Sequence, residues 1–206
     1  MSVLKRLGAF GTYYGTDFFH SASLSESQME TNALYILQYL RLRGWTINAI
    51  SGMLGNMQAE SSLNPGRWQS EDVGNKSGGY GLVQWTPASN YLDWCGSLDA
   101  SEMDTNLSRI EYELQNHLQY YPTDDYPETF EEFTKSTKSP EYLAIAFLKN
   151  YERAGVEVAE TRKSFARKWY KFLNGESPTP TPSSSRKKKK FKFYLFTKRR
   201  LRNAKR

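Results

Sequence analysis

The chain has one cysteine, two histidines and no long apolar run, and each scarcity removes a class of protein. Cys95 stands alone, so there is no intramolecular disulfide framework. His20 and His117 lie far apart in the chain, which leaves a zinc peptidase site short of ligands. Cys95 with His117 would be a cysteine peptidase pair, but Trp94-Cys95-Gly96 carries no flanking signature for one. A buried spare thiol is the simpler reading. Gly78-Gly79-Tyr80-Gly81 lacks the Lys and following helix of a phosphate-binding loop. Nothing approaches the roughly 20 apolar residues of a membrane span. Val3-Leu4 gives way at once to Lys5-Arg6, so no signal-peptide pattern opens the chain. No metal and no cofactor are expected, and a product made in a cytoplasm needs another route to any outside target.

Acidic residues are missing from one end. Of the 28 Lys and Arg, twelve fall in residues 186–206, leaving sixteen against 22 Asp and Glu elsewhere, a net of −6. The overall charge of +6 therefore belongs to the tail, and it is no argument for a nucleic-acid-binding fold. Aromatics make up 15% of the chain, with five Trp and fourteen Tyr, enough for a surface that stacks sugars or bases or for an aromatic-rich core.

A length of 206 residues suits one globular domain with appendages. Residues 1–24 have no clear period and read as a loosely packed arm. Ala33, Ile36, Leu37 and Leu40 share one face of a helix over 27–43, with Gly44 as its stop. Thr46 caps a second helix whose buried stripe is Ile47, Ile50, Met53, Leu54 and Met57. Residues 61–87 are loop-rich, with a short extended segment at Tyr80–Trp85. Further helices are predicted near 88–95, 102–119, 127–134, 140–153 and 159–173, the fourth opened by Ser139-Pro140. Asn174-Gly175 ends the last one, so the domain spans 25–175. Residues 176–185 form a Pro/Ser/Thr linker, and the basic, aromatic tail 186–206 cannot bury a core and is expected to be disordered.

Glu60 is the residue with most chemistry in its position. It follows Met57 by three and Met53 by seven, so it continues the apolar stripe at the C-terminal end of its helix. Desolvation and the partial negative charge of a helix C-terminus both disfavour an ionised carboxyl, as a general acid requires. The plainer alternative is a Glu that finds a partner at a helix end.

Three segments occur in order: Ala59-Glu60-Ser61-Ser62-Leu63-Asn64-Pro65, Gly79-Tyr80-Gly81-Leu82-Val83-Gln84-Trp85-Thr86-Pro87, and Phe147-Leu148-Lys149-Asn150-Tyr151-Glu152-Arg153-Ala154-Gly155. Together they resemble the lysozyme-like superfamily, above all its goose-type and soluble lytic transglycosylase branches. The run from Ala49 to Asn90 resembles more specifically the phage tail lysozyme family, muralytic domains at the tail tips of phages that infect Gram-positive bacteria. The resemblance covers about residues 27–174. It implies a mostly α, lysozyme-like fold, a helical domain with a small β-hairpin lobe flanking a glycan cleft. It also implies a virion protein of the phage tail that acts at the host cell wall. There it would cleave the β-1,4 MurNAc–GlcNAc bond of peptidoglycan and so assist genome delivery, with glycan strands and other tail proteins as partners.

Carried over residue by residue, the resemblance makes Glu60 the general acid. Tyr80, Gln84 and Trp85 on the hairpin, with Tyr151 and Glu152 on the far wall, become substrate-binding residues. Gln84 has a plainer alternative as an amide satisfied by backbone, and Glu152 with Arg153 reads equally as a structural ion pair. Asp72, in Asp72-Val73-Gly74-Asn75, is the candidate base for an incoming water, or else a solvated loop acid. An inverting hydrolase places two carboxyls about 6.5–9.5 Å apart. Without that base, Glu60 would act first as acid and then as base while the sugar's own hydroxyl attacks, which is lytic transglycosylation. A non-catalytic wall-binding tail protein and a nucleic-acid binder are the readings from other classes.

The tail suits an anionic wall polymer, a membrane surface or nucleic acid, and each would bind it less well as salt rises. Deleting residues 176–206 should lower retention on purified cell walls and flatten its dependence on ionic strength. Retention that survives the deletion unchanged would rule out a wall-holding tail.

Overall fold

A computed structural model describes residues 4–15, 23–153 and 159–176. The expectations for the tail, and for the linker beyond Glu176, fall outside these residues. Among them are seven helices and one two-stranded sheet: β1 Leu4–Gly8, β2 Gly11–Gly15, α1 Glu26–Arg41, α2 Ile47–Ser61, α3 Ala88–Cys95, α4 Met103–Gln115, α5 Phe130–Lys135, α6 Pro140–Phe147 and α7 Ala159–Leu173. This is the mostly α architecture with a small hairpin that the sequence implied. A π-helical turn, Leu148–Glu152, extends α6 where a continuous helix to 153 was predicted. No helix among the described residues is long and apolar enough to cross a membrane.

Helix α2 is the axis of the molecule, and it departs from a simple amphipathic helix. Every residue from Ala49 to Met57 is buried, including Ser51, Gly52, Gly55 and Asn56, which the apolar stripe would leave on the wet side. That side is covered by α6 and α7, because its residues are small. A Cβ at Gly52 would lie 2.8 Å from the Leu143 Cβ, and one at Gly55 would lie 2.6 Å from the Arg162 carbonyl oxygen. The two glycines accept a helix-interior cost of about 1 kcal/mol each relative to Ala and in return admit two helices at backbone distance. Asn56 donates from Nδ2 to the Gly52 and Ala144 carbonyls at 3.1 and 2.9 Å, which satisfies its amide nitrogen, while its Oδ1 and the Ser51 hydroxyl are buried without a partner.

The aromatics are mostly core. Trp45, Trp68, Trp85 and Trp169 are buried, as are Tyr13, Tyr35, Tyr39, Tyr80, Tyr91, Tyr120 and Tyr151. Packing, rather than an exposed stacking surface, therefore absorbs most of the aromatic excess.

The N-terminal arm is more ordered than its sequence suggests. β1 and β2 pair antiparallel, Leu4 opposite Gly15 and Gly8 opposite Gly11, and dock on α1. Asn32 of α1 accepts from the Tyr14 amide at 2.7 Å and donates to the carbonyls of Tyr14 and Leu63 at 2.7 and 2.8 Å. Arg6 donates to Ser101 and Glu102, tying the hairpin to the start of α4. Residues 79–87 form no ladder, although they were expected to supply the hairpin. Tyr80 bridges both Trp68 and Trp85 across a tight turn, with Gly81 at φ +83° and Gln84 at φ 51°.

Gly55→Ala should force α2 and α7 apart and cost about 2 kcal/mol, read as a lower urea midpoint. An unchanged midpoint would mean that the helices had room to spare.

Candidate active site

Glu60 lies in the last turn of α2, where the helix is closed by two residues in left-handed backbone. Ser62 (φ 54°) and Leu63 (φ 55°) turn the chain, and their amides donate to the carbonyls of Gln58 and Met57. Ser61 Oγ lies within hydrogen-bonding distance of both the Met57 and Leu82 carbonyl oxygens. Asn106 of α4 holds the facing turn: Oδ1 accepts from the Leu82 amide at 3.0 Å, and Nδ2 lies near the carbonyls of Pro65, Ala100 and Glu102. Helix end and turn thereby form one rigid corner.

Beside this corner is an open pocket of about 360 Å³. Of the residues singled out from sequence, Glu60, Gln84, Trp85, Tyr151 and Glu152 line it. Gln84 donates from Nε2 to the carbonyls of Arg67 and Gly81, so its amide nitrogen is spent on the backbone while its side chain still forms wall. The other two site residues lie elsewhere. Tyr80 is fully buried, packed edge-on to Trp68 at 4.7 Å and stacked with Tyr91 at 5.8 Å, so it is core and not a substrate contact. Asp72 is exposed off the pocket lining and accepts from Asn75 Nδ2 at 2.9 Å.

Continuing the apolar stripe does not desolvate Glu60 as the spacing suggested. Its side chain keeps 23% of its surface exposed, and Arg162 of α7 pairs with its Oε1 at 2.5 Å. Arg162 is itself 6% exposed and also donates from Nη1 to the Asn56 carbonyl at 3.3 Å. The pocket carboxyl that burial pushes toward its protonated form is Glu152. Its Oε1 is sealed from solvent with no hydrogen-bond partner. Burial holds its proton well above the ordinary glutamate range, and the nearby Glu60 charge adds to the effect. No Glu152–Arg153 ion pair forms. Arg153 donates instead to the Gln119 carbonyl at 3.1 Å and lies over the Tyr121 ring.

Two buried charged residues beside this pocket were missed from sequence. Glu113 of α4 is 1% exposed, accepts from Arg109 Nε at 2.8 Å and Trp85 Nε1 at 3.0 Å, and takes the Tyr151 hydroxyl on its other oxygen. Burial pushes its carboxyl up from the ordinary value, against the hydrogen bonds that pull it down. Its signal was present, since it follows Ile110 by three and Asn106 by seven on the buried face of α4. Arg162 had a similar signal, four residues before Ala166 and seven before Trp169, the other buried residues of α7.

The competing sites stay apart. Cys95 is buried and its thiol is pushed up by desolvation, while His117 lines a second pocket with Arg43, Glu111 and Lys135. No group of His, Cys, Asp and Glu among the described residues is arranged to hold a metal.

A family model for phage tail lysozyme matches residues 31–173. Over 161 residues the chain is 50% identical to morphogenesis protein 1 of Bacillus phage B103, covering 77% of this chain. The chain spans 44% of that relative's length.

Glu152 keeps its proton in the folded chain at pH values where the unfolded chain has lost it. Its contribution to stability is therefore complete below the ordinary glutamate range and is lost as pH rises through its raised folded value. Glu152→Gln should make the fall in thermal midpoint between about pH 4 and 8 shallower than in the wild type. Glu111 and Glu113 are present in both proteins, so the difference reports Glu152 together with its charge coupling to Glu60 and Glu113. Identical slopes would remove it from the titration.

Proposed function

The chain belongs to the phage tail lysozyme family, and on that premise we propose that it cleaves the β-1,4 MurNAc–GlcNAc bond of host peptidoglycan during genome delivery. The observation that carries this reading is the pocket shared by Glu60 and Glu152, two carboxyls of opposite character. Arg162 occupies Glu60 Oε1, and no other described residue donates to Oε2, which leaves that oxygen for the glycosidic oxygen of the substrate. As the glycan enters, the Glu60 carboxyl takes up a proton from solvent, and it passes that proton to the glycosidic oxygen as the bond to the leaving sugar breaks. Burial of its carboxyl disfavours the charged form of Glu152, so it adds little negative charge beside the developing oxocarbenium centre. Gln84 and Trp85 on one side and Tyr151 on the other form the walls that orient the sugar.

Asp72 stands off the pocket lining, and this favours a second reading on the same bond. With no loop acid to activate water, the sugar's own hydroxyl attacks and Glu60 takes back its proton as base, the course of a lytic transglycosylase. The basic segment 186–206 is proposed to retain the enzyme on anionic wall polymers or a membrane surface, and other tail proteins to carry it to the wall.

Glu60→Gln should lower digestion of purified peptidoglycan at least ~100-fold without changing the circular dichroism spectrum. Mass spectrometry of the wild-type products separates the two reactions: reducing-end muropeptides mark hydrolysis, and 1,6-anhydro ends mark transglycosylation. Undiminished activity in the variant would sink the role of Glu60. A wild type that binds walls but releases nothing would leave a wall-binding tail protein.

A further inference from the structure

The buried carboxylate of α4 lies behind the pocket, not in it. Glu113 does not line the pocket, yet both aromatic side chains that do, Trp85 and Tyr151, end on it. They reach it from separate parts of the chain. Trp85 follows the tight turn at 81–84, and Tyr151 belongs to the π-helical turn beyond α6. Trp85 Nε1 lies 3.0 Å from Glu113 Oε1 and 3.1 Å from the Tyr151 hydroxyl, which itself donates to Glu113 Oε2. Arg109, one turn earlier on α4, supplies the third donor and the countercharge.

A carboxylate at 1% exposure is a costly choice for a packing position, where an apolar side chain of similar size would serve stability as well or better. An apolar side chain has no acceptor, however, and would leave the indole N–H and the phenol hydroxyl without their common partner, with only ring packing on Tyr91 and Phe147 to hold the two side chains. We infer that Glu113 is a positioning residue of the glycan pocket, the common acceptor that fixes Trp85 and Tyr151 against each other. The inference rests on the glycan reading of that pocket. Its reach extends to the acid pair. Tyr151 immediately precedes Glu152 on the same turn, and Gln119 Nε2 pins the Tyr151 carbonyl at 3.1 Å. Fixing the Tyr151 hydroxyl therefore also fixes the turn from which Glu152 is presented.

The test separates a positioning role from a merely structural one by reading glycan affinity where no cleavage occurs. In a Glu60→Gln parent, binding of a soluble MurNAc–GlcNAc tetrasaccharide is measured by calorimetry. The same titration is repeated after adding Glu113→Gln, Tyr151→Phe, or both. Each single change should weaken binding on the order of tenfold, the scale of one hydrogen bond to a charged group. The double variant should lose little more than the weaker-binding single, because both changes break one unit. The Trp85 indole N–H resonance should move in the Glu113→Gln protein. Tyr151→Phe keeps the ring and deletes only the hydroxyl, so it carries the test if Glu113→Gln does not fold. A parent that binds normally, with both single variants unaltered or with losses that simply add, overturns the inference alone. A parent that fails to bind the tetrasaccharide refutes the glycan reading, and the inference falls with it.

Discussion

The close approach of α7 to α2 at Gly55 is the contact on which the site depends. No side chain larger than hydrogen fits there, since its Cβ would meet the Arg162 carbonyl and the Ala166 amide within 3 Å. Because the backbones approach so nearly, Arg162 is placed beside the last two turns of α2, reaching the Asn56 carbonyl and then Glu60. Gly52 does the same for α6, whose π-helical extension presents Tyr151 and Glu152. The two helices that bring charge to the pocket are thus seated by two missing side chains on a third. Small residues in α2 are a requirement of the helix packing and of the pocket's shape at once.

Bringing Glu60, Glu113 and Glu152 into one region sets three like charges against burial, and the fold resolves this in three different ways. Glu60 keeps partial exposure and an arginine. Glu113 is buried but receives three donors from three segments. Glu152 has no donor on its sealed oxygen and keeps its proton instead. These are the options physical chemistry offers a carboxyl leaving water: solvation, pairing and hydrogen bonding, or neutrality. That all three occur around one pocket is the strongest physical reason to regard it as a reaction site rather than a fold defect.

Much of the helical framework was legible in the chain because its signals are local. Residues 88–95 and 159–173 are helices at the predicted bounds, and Ser139 caps α6 by accepting from the Tyr142 amide, with Pro140 in its first turn. Thr46 caps α2 by accepting from the Ala49 amide. Where reading failed, the deciding contact was remote. The β1–β2 hairpin pairs a largely exposed strand with one that buries Tyr13, its strands are glycine-flanked and weakly alternating, and it is ordered by Asn32 and by the Arg6 contacts at the start of α4. Tyr80 looked like a hairpin contact for substrate, but a three-way arrangement with Trp68 and Tyr91 takes it into the core.

By itself the sequence determined which segments are helical, that a carboxyl stands at the close of α2, and which family motifs surround it. Helices α3 and α7 lie at their predicted bounds, while the predicted ends of α4, α5 and α6 fell several residues off. Caps, glycines and apolar periods act within a few residues, so they survive without any knowledge of the fold. Only the tertiary structure decided which carboxyl burial pushes toward its protonated form, which one meets an arginine 102 positions away, and which tyrosine reaches the pocket. Burial and charge pairing are properties of neighbours in space, and along the chain those neighbours lie on α4, α6 and α7, far from the helix that carries Glu60.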